Sequence, residues 1–272
     1  MFYIAALSLI FFPLGLTVAV VHVESTYAKP LGDDGVDIAL IVSVDVSQSV
    51  DAGRYRLQME GIAKALEDPS VIAAITGGTR GSIMFSMITW ADQANVAIGW
   101  HPIASAKDAA TIASLVRQIP QQSGEFTCLA RMLHTVSVSI IPSLRVPVGR
   151  FVVDVSGDGI DNCTDTDDLH AERDAVLALG ATINGLPILV KGENDVVGAG
   201  AYRAPGFGLK ELSRAPDLEA TTLDQWYRDH VVGGPDTFLL PARGYEDFAR
   251  ALRQKFVTEI SAIPPPSPHA LQ

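Results

Sequence analysis

The chain has only two cysteines, Cys128 and Cys163, in 272 residues. Neither has a nearby cysteine partner and the six histidines are scattered, so a zinc site is not expected. In an oxidising compartment two cysteines suggest one disulfide, with two separate buried thiols as the alternative. Positive charge is also scarce: 20 Lys and Arg stand against 31 Asp and Glu, for a net charge of −11. No basic patch is visible, and phosphate binding needs clustered Lys and Arg, so nucleic acid is not the expected partner. Charged residues make up 19% of the chain and hydrophobic ones 48%, ample for a sizeable core. Catalytic signatures are missing as well. Ser156-Gly157-Asp158-Gly159 is not a Gly-x-Ser-x-Gly nucleophile elbow. His101, His134, His170 and His230 fall in no motif with a nucleophile and read as surface or packing residues.

What is present begins with an uncharged apolar stretch from Phe2 to Val23. Residues 1–28 read as a secretory signal peptide ending at Ala28, although the n-region lacks Lys and Arg. The alternative is an uncleaved inner-membrane anchor formed by residues 2–23, since ~20 apolar residues can span a bilayer. Either way the expectation is export, to the periplasm or beyond the cell, with membrane contact only if the segment is retained. A linker (29–36), one domain (37–262) and a Pro-rich disordered tail (263–272) follow.

Ile38 to Val44 is a β-branched apolar run, the pattern of a strand buried on both faces. Further strands are expected at Ser82–Ala91, Asn95–Trp100, Arg150–Val155, Ala181–Val190 and Thr237–Leu240. Helices are expected at Asp51–Leu66, Ser105–Ile119, Leu129–Ile141, Asp167–Leu179, Leu223–Val231 and Gly244–Ile260, with Val71–Ile75 adding a turn before Gly77-Gly78. Alternating strands and helices imply an α/β, doubly wound fold. Its central sheet is mostly parallel, helices cover both faces, and the hairpin strand after Ser82–Ala91 is an antiparallel edge.

The first strand stops in Asp45-Val46-Ser47-Gln48-Ser49, a carboxylate and two hydroxyls at every second position. Thr127 and Asp158 sit in two later loops, with Asp161 close by. Ligands gather at the carboxyl ends of strands in open α/β sheets. An all-oxygen inventory suits Mg²⁺ or Mn²⁺, and less well Ca²⁺.

These residues resemble the von Willebrand factor A superfamily, whose metal-ion-dependent adhesion site is Asp-x-Ser-x-Ser with a distant Thr and a distant Asp. The resemblance runs from Asp37 to about Ile260 and is closer still to an uncharacterised bacterial exported branch. Its marks are Asp154-Val155-Ser156-Gly157-Asp158-Gly159, Thr182-Ile183-Asn184-Gly185-Leu186-Pro187-Ile188, and Tyr227-Arg228-Asp229 leading to Val232-Gly233-Gly234-Pro235. It implies that Ser47 and Ser49 bind the cation, that Thr127 joins directly or through water, and that Asp45 and Asp158 hold waters or the ion. An open position would then accept an acidic side chain from a protein partner, without covalent chemistry. Phe126, before Thr127, departs from the small neighbours of the superfamily, and crowding there would displace that loop. A Cys128–Cys163 bridge would pin two of the three loops together. The alternatives are a metal-assisted hydrolase with Glu125 as its base, and a structural domain without metal.

Overall fold

The computed structural model describes residues 35–122, 124–194, 196–198 and 221–261. The expected leader, most of the linker and the tail lie outside these residues. Among the described residues no helix is long and apolar enough to cross a membrane.

The apolar run at the start of the domain becomes β1 (Val36–Asp45), buried almost throughout. It lies between β2 (Ile83–Trp90) and β4 (Val148–Gly157), parallel to both. β3 (Ala94–Ile103) pairs antiparallel with β2 at one edge, and β5 (Ala181–Pro187) is parallel to β4 at the other. The order is therefore β3-β2-β1-β4-β5. Chain order reverses direction at β1, so a crevice opens between the carboxyl ends of β1 and β4. In register, Val44 stands opposite Ser156, which brings the residues following each strand to the same edge.

Side chains alternate across β1. Leu40, Val42 and Val44 pack against α1 (Ala52–Glu67), α2 (Pro69–Thr76), α3 (Ala106–Arg117) and the final helix, α8 (Phe248–Ser261). Ile41 faces the opposite layer, built from α4 (Leu129–Thr135), α6 (Thr166–Ala178) and α7 (Leu223–His230). Two apolar cores, one on each face, make the sheet the middle of three layers.

Differences from the sequence expectation have local causes. Val71–Ile75 belongs to a full helix, α2, because Asp68 caps it through Ser70 N and Pro69 fills its first turn. The helix expected at Leu129–Ile141 is α4, then a π-helical stretch (Val136–Ile140), then a last turn, α5 (Ile141–Ser143). Thr237–Leu240 forms no complete strand. It runs beside β5 with single parallel bridges, Gly185 to Leu239 and Ile188 to Ala242. There the Asn184 side chain takes Phe238 N at 2.9 Å, and Pro241 has no N–H to offer.

One feature of the α8 core is ionic. Lys255, Asp154 and Glu259 are fully or almost fully buried. Lys255 Nζ lies 2.7 Å from Asp154 Oδ1 and also contacts Glu259 Oε1, to which Asn184 Nδ2 donates at 2.8 Å. Burial pushes the Asp154 carboxyl up to about 7, with Lys255 pulling the other way.

Candidate metal centre

Three loops meet at the β1–β4 crevice. Asp45 is the last residue of β1, and its Oδ1 accepts the Ser47 N–H at 2.8 Å, so the chain turns back over its own carboxylate. Asp51 then starts α1 as its N-cap, which fixes Ser47 to Ser49 as a short tight connection. Ser47 Oγ is 3.3 Å from Ser49 Oγ and accepts from Thr127 Oγ1 at 3.3 Å. Ser49 Oγ donates to Asp158 Oδ1 at 2.6 Å. All five residues expected from the sequence are thus brought together in one linked set. Phe126 does not displace Thr127: its N–H is held by Asp92 Oδ1 at 2.6 Å, outside the cluster.

The loops are tied to each other below the surface. Thr127 N donates to Asn162 Oδ1 at 2.8 Å, and Asn162 N returns a bond to Thr127 O at 3.1 Å. Cys128 and Cys163 form a disulfide beside that pair. Asp161 serves the same joint, accepting from Ala130 N at the start of α4 and from Cys163 N and Thr164 N. It is a loop tie, not a member of the cluster. Replacing both cysteines by serine should lower unfolding free energy by about 2–4 kcal/mol, since the bridge closes a long loop. Urea unfolding of the double variant, beside reduced wild type, measures this.

Several contacts were not legible as site residues. Tyr245 donates from its hydroxyl to Asp158 Oδ2 at 2.9 Å. Arg54 Nη1 lies 3.8 Å from the same oxygen and donates to Ser49 O at 2.9 Å. Asn194 Nδ2 donates to Asp158 O at 2.7 Å. These come from α1, the loop after β5 and the turn before α8, so only the fold assembles them. The signal that sequence carried was Tyr227, inside the third family mark: its hydroxyl is buried close to Asp45 and has no hydrogen-bond partner among the described residues.

Gly157 explains that closeness. A Cβ there would stand 2.8 Å from the Tyr227 hydroxyl and 3.0 Å from Asp45 Oδ2. Gly157→Ala should therefore cost about 1–3 kcal/mol of overpacking and shift Asp45. An unchanged urea midpoint would show that the contact relaxes freely.

The set fits a hard cation. Its side-chain donors are all oxygen, three hydroxyls and two carboxylates. Asp45 Oδ2 is buried and has no hydrogen-bond partner among the described residues, a costly state for a carboxylate oxygen that a cation would relieve. Burial and then the Asp158 charge push the Asp45 carboxyl up to about 8, and burial raises Asp158 too. Among the described residues no group of three or more His, Cys, Asp or Glu is placed to hold a metal ion. Any cation here depends on hydroxyl ligands. The histidines pair elsewhere, His134 with Glu172 and His170 with His230.

Comparisons with known proteins agree with this fold. Similar solved structures include proximal thread matrix protein 1 from the mussel byssus, with TM-score 0.53 at 15% identity, covering 84% of this chain and 47% of that one. A further structure of that protein carries a zinc-occupied MIDAS motif, with TM-score 0.54, 15% identity, and coverage of 84% and 47%. A von Willebrand factor type A protein from Catenulispora acidiphila has TM-score 0.55 at 14% identity, with coverage of 83% and 43%. The chain thus spans under half the length of these proteins, and the likeness establishes the fold. A search of curated proteins by sequence finds no match. The profile of the family described as "Protein of unknown function (DUF1194)" matches residues 35–264, so the chain belongs to that family, and its fold is that of a von Willebrand factor A domain.

Proposed function

We propose that this protein is an exported, non-enzymatic binding module that holds a divalent cation at Asp45, Ser47, Ser49, Thr127 and Asp158 and engages an acidic group of a protein partner there. One observation carries the reading: five oxygen-bearing side chains from three separate loops converge, and one carboxylate oxygen among them is buried without a partner among the described residues. A bound cation would supply an open position for an outside carboxylate. The protein's part is to hold the donors. Ser47, Ser49 and Thr127 present hydroxyls, Asp45 and Asp158 present charge, and Asn194 and the disulfide fix the loops. Residues touching the cluster are suited to positioning rather than to proton transfer. Burial and the neighbouring carboxylates push the Tyr245 phenol far above its ordinary range, and Glu125 is exposed.

The oxygen donors favour Mg²⁺ or Mn²⁺. The zinc found at the corresponding motif of the mussel protein makes Zn²⁺ a competitor to include. The uncharged apolar residues 2–23 support export to the periplasm or the medium. Calorimetric titration of the purified protein with Mg²⁺, Mn²⁺, Ca²⁺ and Zn²⁺ tests the site, followed by capture of partners with and without chelator. Stoichiometric binding of one of these ions, and chelator-sensitive capture, are the expected results. A folded protein that binds none of them refutes the reading.

A further inference from the structure

Beside the metal loops the fold builds a second anion-binding position, and its present occupant is a carboxylate of the chain itself. Asp51 caps α1 and accepts the Arg54 N–H at 2.8 Å, so the Arg54 backbone is fixed one turn beyond the Asp-x-Ser-x-Ser loop. From there its guanidinium is restrained on several sides. Nη1 donates to Ser49 O at 2.9 Å and stands 3.8 Å from Asp158 Oδ2. The group lies over the Tyr245 ring, 5.1 Å from its centroid. Nη2 remains, and it holds both carboxylate oxygens of Glu193, at 2.6 and 2.7 Å. The two partners are unequally built in: the Arg54 side chain is 21% exposed, that of Glu193 53%.

We propose that the partner presents two acidic groups, one for the cation held by Asp45, Ser47, Ser49, Thr127 and Asp158, and a second for Arg54, which it takes over from Glu193. The inference rests on the cation-binding reading and adds the chemistry of the partner to it. An arginine pinned to a metal-ligand loop on one side and bonded to an exposed glutamate on the other is a preorganised receptor with an exchangeable occupant. Exposed ion pairs contribute little, so exchange is cheap. A second acid tethered to one already on the cation arrives at high effective concentration and outcompetes Glu193. A single acid leaves the Arg54–Glu193 pair intact and makes one contact only. Arg54 thus favours diacidic over monoacidic partners, and Glu193 narrows that margin by competing for the same guanidinium.

The test uses capped glycine-rich peptides with two acids, adjacent or separated by one or two glycines, each beside its Asp/Gln monoacid counterpart. They are titrated into Mg²⁺-loaded wild type, Arg54→Gln and Glu193→Gln, with Mg²⁺ affinity measured separately on each protein. On wild type at least one diacid should bind about five-fold or more tighter than its monoacid. Arg54→Gln should bring that ratio to about one, and Glu193→Gln should tighten the diacid by about two- to five-fold. Wild type that binds Mg²⁺ yet treats diacids and monoacids alike, or binds neither, overturns this inference and leaves the cation site standing. So does a ratio that survives in Arg54→Gln. Absence of Mg²⁺ binding by wild type is a different outcome, which removes the cation reading and this one with it.

Discussion

Exchanging Lys255 for methionine should lower the unfolding free energy by about 3–5 kcal/mol, measured as a shift of the urea midpoint. The mean stability of a domain is about 5–15 kcal/mol, so this is a large share of the total. The cost does not come from losing a favourable pair. A buried ion pair in a protein core offsets little more than its own desolvation. It comes from leaving Asp154 and Glu259 in the apolar layer under α8 without the ammonium that lies between them. A compensated variant separates the two causes. Lys255→Met combined with Asp154→Asn and Glu259→Gln should recover most of the loss, because no buried charge remains. If the triple variant is as unstable as the single one, packing of the lysine stem and not charge is the cause.

The same cluster predicts a pH dependence. Burial raises the folded-state pKa of Asp154 from 3.8 to about 7, so the folded protein holds this proton more tightly than the unfolded chain does. The contribution of the group to stability is therefore fully present below about pH 4 and is lost as pH rises through about 7. Asp154→Asn leaves Lys255 paired with Glu259 and removes that share of the dependence. Its stability should fall less than that of wild type between pH 5 and pH 8 in urea unfolding at each pH.

Neither Lys255 nor Glu259 could be read as a core residue from charge alone, since a Lys and Glu four apart on a helix normally form a solvated face. Their spacing carried the information. They lie in the stripe of Phe248, Ala251, Leu252, Phe256 and Ile260, the helical period that buries one face. Asp154 gave the matching sign from within a buried strand. The cluster of oxygen donors was legible for a different reason. Asp45, Ser47 and Ser49 are contiguous, and the strand before them is apolar enough to declare itself. Thr127 and Asp158 needed the family pattern to be singled out. Arg54, Tyr245 and Asn194 reach the cluster only through tertiary placement, and no local sequence signal marks a residue for that. The fold was legible where hydrophobic periodicity dictates elements. It was not where single side chains decide, as with Asn184 holding 237–242 to two bridges rather than a ladder.

Asp45→Asn should weaken Mg²⁺ binding by about 100-fold, and with it reverse the order of stability between variant and wild type. In metal-free buffer at pH 8 the wild type holds an Asp45 carboxyl that burial and the Asp158 charge have pushed up to about 8. Its folded form pays for ionising Asp45 as pH climbs from about 4 to 8, whereas an asparagine has nothing to ionise. The metal-free variant should therefore be as stable as wild type or more so. A cation that binds only the folded wild type adds RT ln(1 + [L]/Kd), about 2.7 kcal/mol at a hundred-fold excess over Kd. Wild type should then overtake Asp45→Asn, which gains almost nothing. Ser47→Ala should also lose Mg²⁺ stabilisation without the metal-free gain, since it removes a neutral ligand and no buried charge. Thermal unfolding of the three proteins at pH 8, in chelator and in excess Mg²⁺, reads the whole pattern. A crossing of wild type and Asp45→Asn identifies a carboxylate kept in the core for a cation. A wild type less stable than Asp45→Asn in both buffers leaves Asp45 as a buried acid with no cation to justify it, and returns the protein to a structural role.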